Sequence, residues 1–355
     1  MKKKQLWNLF IGKDEYDPLI TDRFDRIFSY SVTNKNLFEP VVSKYIYNQG
    51  FSPVYPENKQ FAVALTHDID ILFENNTFKK SFNNLVKSFS KNKELFKNSL
   101  NSLFRKQVWK EYNTKRIREI DEKYNAKSTF FFFSTDKEYK EFNYNVPDVK
   151  YLLDDLTQNG NEVGLHGSYM SYKDKQKMYS EKKRLNSVLN KNVIGFRNHN
   201  LNFNIRCSYS NLINSGFKYD ATYGFPDVVG FRNGMCYPFQ PYDLNKERYY
   251  DIIEFPLHIM DLTLFNYYMR LDFEKAFVVF KIIVGEVEKY NGVLNFLWHN
   301  NNMTGNQLEF YESCLGYLKD KNAWITSCEN IYNHYTEMNY FKQITGILES
   351  ICKGV

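Results

Sequence analysis

Four short stretches hold residues that could do chemistry together: Thr66-His67-Asp68-Ile69-Asp70, His166-Gly167-Ser168-Tyr169, Arg197-Asn198-His199 and His299-Asn300-Asn301-Asn302. Each follows an apolar run that reads as a buried strand. The first closes Phe61-Ala62-Val63-Ala64-Leu65. Side chains two apart on a strand share a face, so Asp68 and Asp70 are expected to project together from its carboxyl end. Side-by-side carboxylates repel unless a cation or a proton lies between them. One can then hold a metal while the other works as a base; the plainer reading is a solvated Asp-x-Asp turn. His67, His166, His199 and His299, four of the six histidines, lie at or near such ends. A single histidine there is more often a structural hydrogen-bonder than a ligand. Several converging with Asp70 favour a metal site, and imidazole with carboxylate suits zinc or a related divalent ion such as iron, manganese, cobalt or nickel.

The elements that must carry these residues alternate. Strands are predicted at 61–65, 128–133, 162–165, 193–196, 252–255, 293–298 and 323–326, with helices at 116–124, 149–157, 175–190, 209–215, 273–290 and 308–320. Such β/α alternation implies a parallel sheet with helices outside it, hence a barrel or distorted barrel. Open α/β sheets and α/β barrels keep their chemistry at the carboxyl ends of the strands, where the four stretches fall. Residues 1–58, with Pro18, Pro40, Pro53 and Pro56, read as an N-terminal extension or small subdomain; 59–335 as the barrel; and 336–355 as a C-terminal helix or tail.

Composition narrows the function classes. The chain has 355 residues, 43% hydrophobic and 25% charged, which is ordinary for a globular protein. No run approaches the roughly 18 to 20 apolar residues of a membrane span. Met1-Lys2-Lys3-Lys4 looks like the start of a signal peptide, but Asn8, Lys13, Asp14 and Glu15 break any apolar core after it, so a cytoplasmic location is expected. Five scattered cysteines without a Cys-x-x-Cys pair argue against a disulfide framework or a cysteine zinc site. No nucleophile elbow, P-loop or dinucleotide fingerprint occurs. Between Lys79 and Arg118 twelve Lys or Arg stand against two acids, whereas the whole chain carries only +6. Phe82, Leu85, Val86 and Phe89 within it have helical spacing. The segment reads as a basic helical insertion over 75–115. It either packs its apolar face on the barrel or docks peripherally on anionic lipid at the inner membrane face. No nucleic-acid recognition motif accompanies the charge, so no nucleic-acid partner is expected.

In order along the chain, Thr66-His67-Asp68-Ile69-Asp70, Glu162-Val163-Gly164-Leu165-His166-Gly167-Ser168-Tyr169, Gly195-Phe196-Arg197-Asn198-His199 and Leu297-Trp298-His299-Asn300 resemble the motifs of the polysaccharide deacetylase family, carbohydrate esterase family four. The nearer likeness is to its divergent bacterial branch with a Thr-His-Asp-x-Asp first motif. Tyr219-Asp220-Ala221-Thr222 and Gly230-Phe231-Arg232-Asn233-Gly234 look like further segments of that branch. The resemblance covers about residues 60 to 330. It implies a distorted (β/α) barrel and metal-assisted removal of an acetyl group from an N-acetylated sugar. By the same resemblance Asp68 is the general base, Asp70 and His166 bind the metal, Arg197 orients the base, and His299 protonates the leaving amine. Tyr169, Asn198, Trp298 and Arg232, in or beside these motifs, are expected to contact substrate.

One departure matters. The family's second motif usually places another histidine four residues after the first, and here that residue is Met170. A thioether is a poor ligand for a hard divalent ion. His199 is the expected replacement; the simpler alternative is that it only hydrogen-bonds in its loop. His67 is expected to point away from the acids, and His258 and His334 to be packing or surface residues. The expected substrate is a sugar precursor of a surface polysaccharide. The competing expectations are a catalytically impaired barrel that binds a glycan or a partner, and an amidohydrolase for a non-sugar amide.

Overall fold

The computed structural model describes residues 1–18, 20–33, 36–75, 107–109, 114–135, 142–266 and 268–352. Nine strands form one sheet: β1 (Ala62–Ile69), β2 (Thr129–Phe133), β3 (Glu162–Gly167), β4 (Gly195–Asn198), β5 (Tyr219–Asp220), β6 (Ile253–Glu254), β7 (Ile259–Met260), β8 (Val293–Leu297) and β9 (Trp324–Thr326). Their order is β6-β5-β4-β3-β2-β1-β8-β7, with β9 also on β1, and every pairing is parallel. Helices separate most consecutive strands, though not β5, β6 and β7, and the strands are buried along nearly their whole length. The four consecutive phenylalanines of β2, Phe130 to Phe133, are all fully buried. The result is a curled half-barrel. Its two edge strands, β6 and β7, are consecutive in the chain, and Phe255–His258 crosses between them. Asn295 of β8 ties that crossing down, donating its side-chain amide to the Phe255 carbonyl (2.9 Å) and accepting on its own carbonyl from His258 N–H (3.2 Å).

β1 is the centre of the sheet. Ala62–Thr66 pair with β8 on one side, while Ala62–Ala64 pair with β9 and Thr66–Ile69 with β2 on the other. All eight of its residues are buried. Thr66, His67 and Asp68 therefore need partners inside the protein, and those partners build the site. The strand runs on to Ile69, one residue short of Asp70 and four further than its apolar run suggests, because the polar side chains are paired rather than solvated.

Residues 1–58 wrap the barrel. Leu6, Trp7 and Phe10 of the helix Lys3–Phe10, and Val42 and Ile46 of the helix Val41–Asn48, join the same buried cluster as the strands. Glu15 enters as a charge and meets Arg232 at 2.7 Å. The C-terminal helix Tyr340–Cys352 buries Tyr340, Phe341, Ile344, Leu348 and Ile351. No helix among the described residues is long and apolar enough to cross a membrane. Of the predicted basic insertion, only Gln107–Trp109, which pairs antiparallel with Phe73–Asn75, and the start of the helix Thr114–Lys123 are described. The rest lies outside the described residues.

Candidate active site and metal centre

At the carboxyl end of β1, Asp70 faces His166 from β3 and His199 from the turn after β4; their ligand atoms all lie within 4.8 Å of one another. The His166 ring is held by its own neighbour strand. Its Nδ1 donates to the Arg197 carbonyl at 2.9 Å. A carbonyl only accepts, so the proton is on Nδ1 and the Nε2 lone pair points inward. That Nε2 sits 3.5 Å from Asp70 Oδ1 and 3.6 Å from Asp68 Oδ2. Both His166 Nε2 and Asp70 Oδ1 are buried without a hydrogen-bond partner. Orphaned buried polar atoms are costly, and a cation shared by the two would satisfy both. Two imidazoles and a carboxylate are a donor set that fits zinc or a related divalent ion. Phe133 walls the cluster, its ring 4.4 Å from His166 and 5.1 Å from His199 between centroids. Burial alone would raise the Asp70 carboxyl. The imidazoles of His166, His199 and His299 gathered round it outweigh burial and hold the group well below the ordinary carboxylate range.

Two further groups are aimed at the same place by separate devices. Asp68 is gripped by Arg197, whose Nη1 donates to Asp68 Oδ1 (3.1 Å) and to Thr66 Oγ1 (2.8 Å). The remaining guanidinium donors go to the Ala221 carbonyl (2.9 Å) and to Asn295 Oδ1 (3.2 Å), so Arg197 has one available pose. His299 is gripped by Asp261, which follows β7. Asp261 Oδ1 accepts a hydrogen bond from Nδ1 at 2.6 Å, while Oδ2 accepts from the His299 backbone N–H (3.0 Å) and from Asn302 Nδ2 (2.7 Å). The opposite nitrogen, Nε2, then lies 3.9 Å from Asp68 Oδ2. Burial pulls the His299 pKa down, but the Asp261 charge and hydrogen bond push it up to about 9. Asn300 anchors the end of β1 to this side: its Oδ1 accepts from Asp70 N–H at 3.2 Å and its Nδ2 donates to the Ile71 carbonyl at 2.8 Å.

The structure thus brings Asp68, Asp70, His166, Arg197, His199 and His299 together. Tyr169 stands at the rim, its ring 4.8 Å from that of His199, and Asn198 is buried beneath with its Oδ1 unpartnered. Two expected substrate contacts are corrected. Trp298 is fully buried in an aromatic cluster with Phe310 and Tyr311; it leaves its strand on the face opposite His299. Arg232 is buried, with its Nε and Nη2 on Glu15 and its Nη1 on the Gly224 carbonyl, so it serves to hold the N-terminal segment on the barrel. His67 points away as expected, into a buried pair with Asp121 at 3.2 Å. His258 is a packing residue between Asn295 N–H and the Met235 carbonyl, and burial drops its pKa to about 4. Met170 is 40% exposed, in the turn beyond Tyr169. Asp261 is a site residue that lies outside all four motifs. The one signal was its position just past a short strand.

The chain matches no protein-family model and no curated protein. Solved structures do resemble it. A provisionally named polysaccharide deacetylase from Mycobacterium smegmatis is 14% identical, covers 81% of this chain and 94% of its own, and superposes with a TM-score of 0.53. The allantoinase Puue is 12% identical over 89% of this chain and 98% of its own, with a TM-score of 0.50. The fold is therefore the distorted (β/α) barrel of the polysaccharide deacetylase type, as the motif order implied.

Proposed function

We propose that the protein is a metal-dependent hydrolase that removes the acetyl group from an N-acetylated sugar, acting on a glycan precursor in the cytoplasm. One observation carries the reading. Two orphaned ligand atoms, Asp70 Oδ1 and His166 Nε2, lie beside two independently clamped proton-transfer groups, Asp68 and His299. A divalent ion held by Asp70, His166 and His199, with zinc as the best match, would supply Lewis acidity at the amide carbonyl and acidify water. Asp68 accepts the proton of the attacking water, in the one orientation that Arg197 allows. His299 enters protonated, because Asp261 lifts its pKa to about 9. With Nδ1 tied to Asp261, only Nε2 can deliver a proton to the departing nitrogen. The competing reading is a glycan-binding barrel without turnover, supported by Met170 at the usual second-histidine position. The two intact pairs, Asp68 with Arg197 and Asp261 with His299, favour hydrolysis. A non-sugar amide such as allantoin belongs in the same screen.

Acetate release from N-acetylated sugars tests the reading. Asp68→Asn keeps the shape and removes the base, so turnover should fall by about 10² to 10⁴ with fold retained. Undiminished release by Asp68→Asn would remove Asp68 from the mechanism.

A further inference from the structure

Asp70 and His166 stand in or directly beyond long strands. His199 stands on the turn after β4 instead, and that turn is strained. Asn200 and Leu201, which follow it, both have left-handed backbones, with φ of 56° and 55°. Asparagine tolerates that conformation, but a bulky leucine adopts it only where its surroundings enforce it. The barrel holds the far end of the turn. Leu201 is buried with Leu257 and Leu297, and Asn202 donates its side-chain amide to the Tyr169 carbonyl at 3.0 Å.

The end next to the ligand is held by the N-terminal segment. Arg26 Nη1 donates to the Asn200 carbonyl at 3.2 Å. Arg26 is itself locked. Asp22 Oδ2 accepts from its Nε at 2.8 Å and pairs with its Nη2 at 2.7 Å. Asp22 Oδ1 accepts from the backbone N–H of Phe24 (2.9 Å) and of Arg26 (3.1 Å), which closes residues 22–26 into a turn. With Nε and Nη2 spent on one carboxylate, Nη1 is left for Asn200. The same turn reaches the His199 ring by a second route. Phe24 stacks on Tyr169 at 5.4 Å and 11°, with the Arg23 guanidinium over it at 4.6 Å, and Tyr169 packs on His199 at 4.8 Å. Asp25 accepts from Tyr172 Oη at 2.8 Å, so the turn is also tied to the loop that carries Tyr169.

We propose that the N-terminal segment completes the metal centre: Arg26 is the positioning residue that holds the Asn200 peptide, and with it His199, in the ligand pose, while Phe24 backs the His199 ring through Tyr169. The inference rests on the metal-centre reading and adds which part of the chain keeps the third ligand in place. A ligand fixed before the ion arrives lowers the cost of binding. Groups behind a metal ligand that set its orientation are typically worth about 10- to 100-fold in metal affinity. A ligand on a strained turn needs such groups more than one in a paired strand, because the turn relaxes when an anchor is removed.

The test is the Zn²⁺ affinity of the metal-free full-length chain, read by competition with a chromophoric chelator, so no substrate is needed. Arg26→Ala and Phe24→Ala should each weaken zinc binding by about 10- to 100-fold. Both side chains are only half-buried, so the circular dichroism spectrum should stay as it was. Combining each with His199→Ala separates positioning from general loosening. Asp70 and His166 still bind zinc weakly in that background, and neither substitution should weaken it further. Zinc affinity unchanged by Arg26→Ala, or weakened equally with and without His199, overturns the inference and leaves the metal centre standing. A wild-type chain that binds no zinc overturns the metal-centre reading and this inference with it.

Discussion

At the scale of single residues, the site is a set of donors whose second atoms are already taken. His166 spends Nδ1 on a carbonyl and His299 spends Nδ1 on a carboxylate. The first partner is neutral and only fixes orientation, which leaves a lone pair for a ligand role. The second is charged and makes an acid. This contrast assigns opposite jobs to two chemically identical side chains. It also gives a pH prediction. If protonated His299 is the acid, the rate should fall as pH rises through about 9. Replacing Asp261 by Asn removes the charge that holds the proton, so the alkaline limb of the rate profile should move down by about one to three pH units. A limb that stays in place would show that another group carries the proton. Asp68, Asp70, His166, Arg197 and His299 were legible in the sequence because each sits in a short motif after an apolar run. Asp261 was not, because Ile259–Met260 is only two residues long and gives no periodicity to read.

At the scale of elements, β1 carries the chemistry because it is paired on both sides and anchored from behind. His67, between the site residues Thr66 and Asp68, points to the opposite face. Its Nδ1 donates to the Trp298 carbonyl at 2.9 Å and its Nε2 meets Asp121. Asp121 also accepts from Ser128 Oγ (2.6 Å) and Tyr311 Oη (2.5 Å), all of it buried. The network ties β1 to the helix Thr114–Lys123 and to the residue just before His299. Asp121→Ala would leave three buried donors unanswered and should cost about 3 to 5 kcal/mol, read from the urea midpoint at constant m. A loss under about 1 kcal/mol would mean that the network is not holding the strand. The sequence predicted every long strand of the barrel, and its long helices except Cys328–Glu337, with ends shifted by a few residues. It missed β5 and β7, whose burial comes from neighbouring strands and not from an apolar run of their own. Trp298 was misread for a related reason. Motif adjacency places a residue near a site, but strand alternation turns it to the other face.

At the scale of the whole molecule, residues 1–58 showed little pattern in the sequence because their helices are short and fill gaps against aromatic loops. Phe10 packs on Phe239 and Trp7 on Tyr242. Glu15 answers the buried Arg232 and also accepts from Tyr223 Oη at 2.7 Å. We propose that this region folds with the barrel as one unit. Glu15→Ala would strand the Arg232 charge and should destabilise by about 3 to 5 kcal/mol. Circular dichroism and tryptophan fluorescence should report the loss in one coincident transition. Two separated transitions, or an unaltered barrel, would mark residues 1–58 as an independent subdomain.

The central claim is that Asp70, His166 and His199 form a metal centre. Elemental analysis of protein purified without chelator tests it most directly. The wild-type chain should hold about one divalent ion, His166→Ala should hold none, and His199→Ala should lose most of it, while Met170→Ala keeps the full complement. Wild-type occupancy in both histidine variants, or a metal-free wild-type chain that still releases acetate, would contradict it.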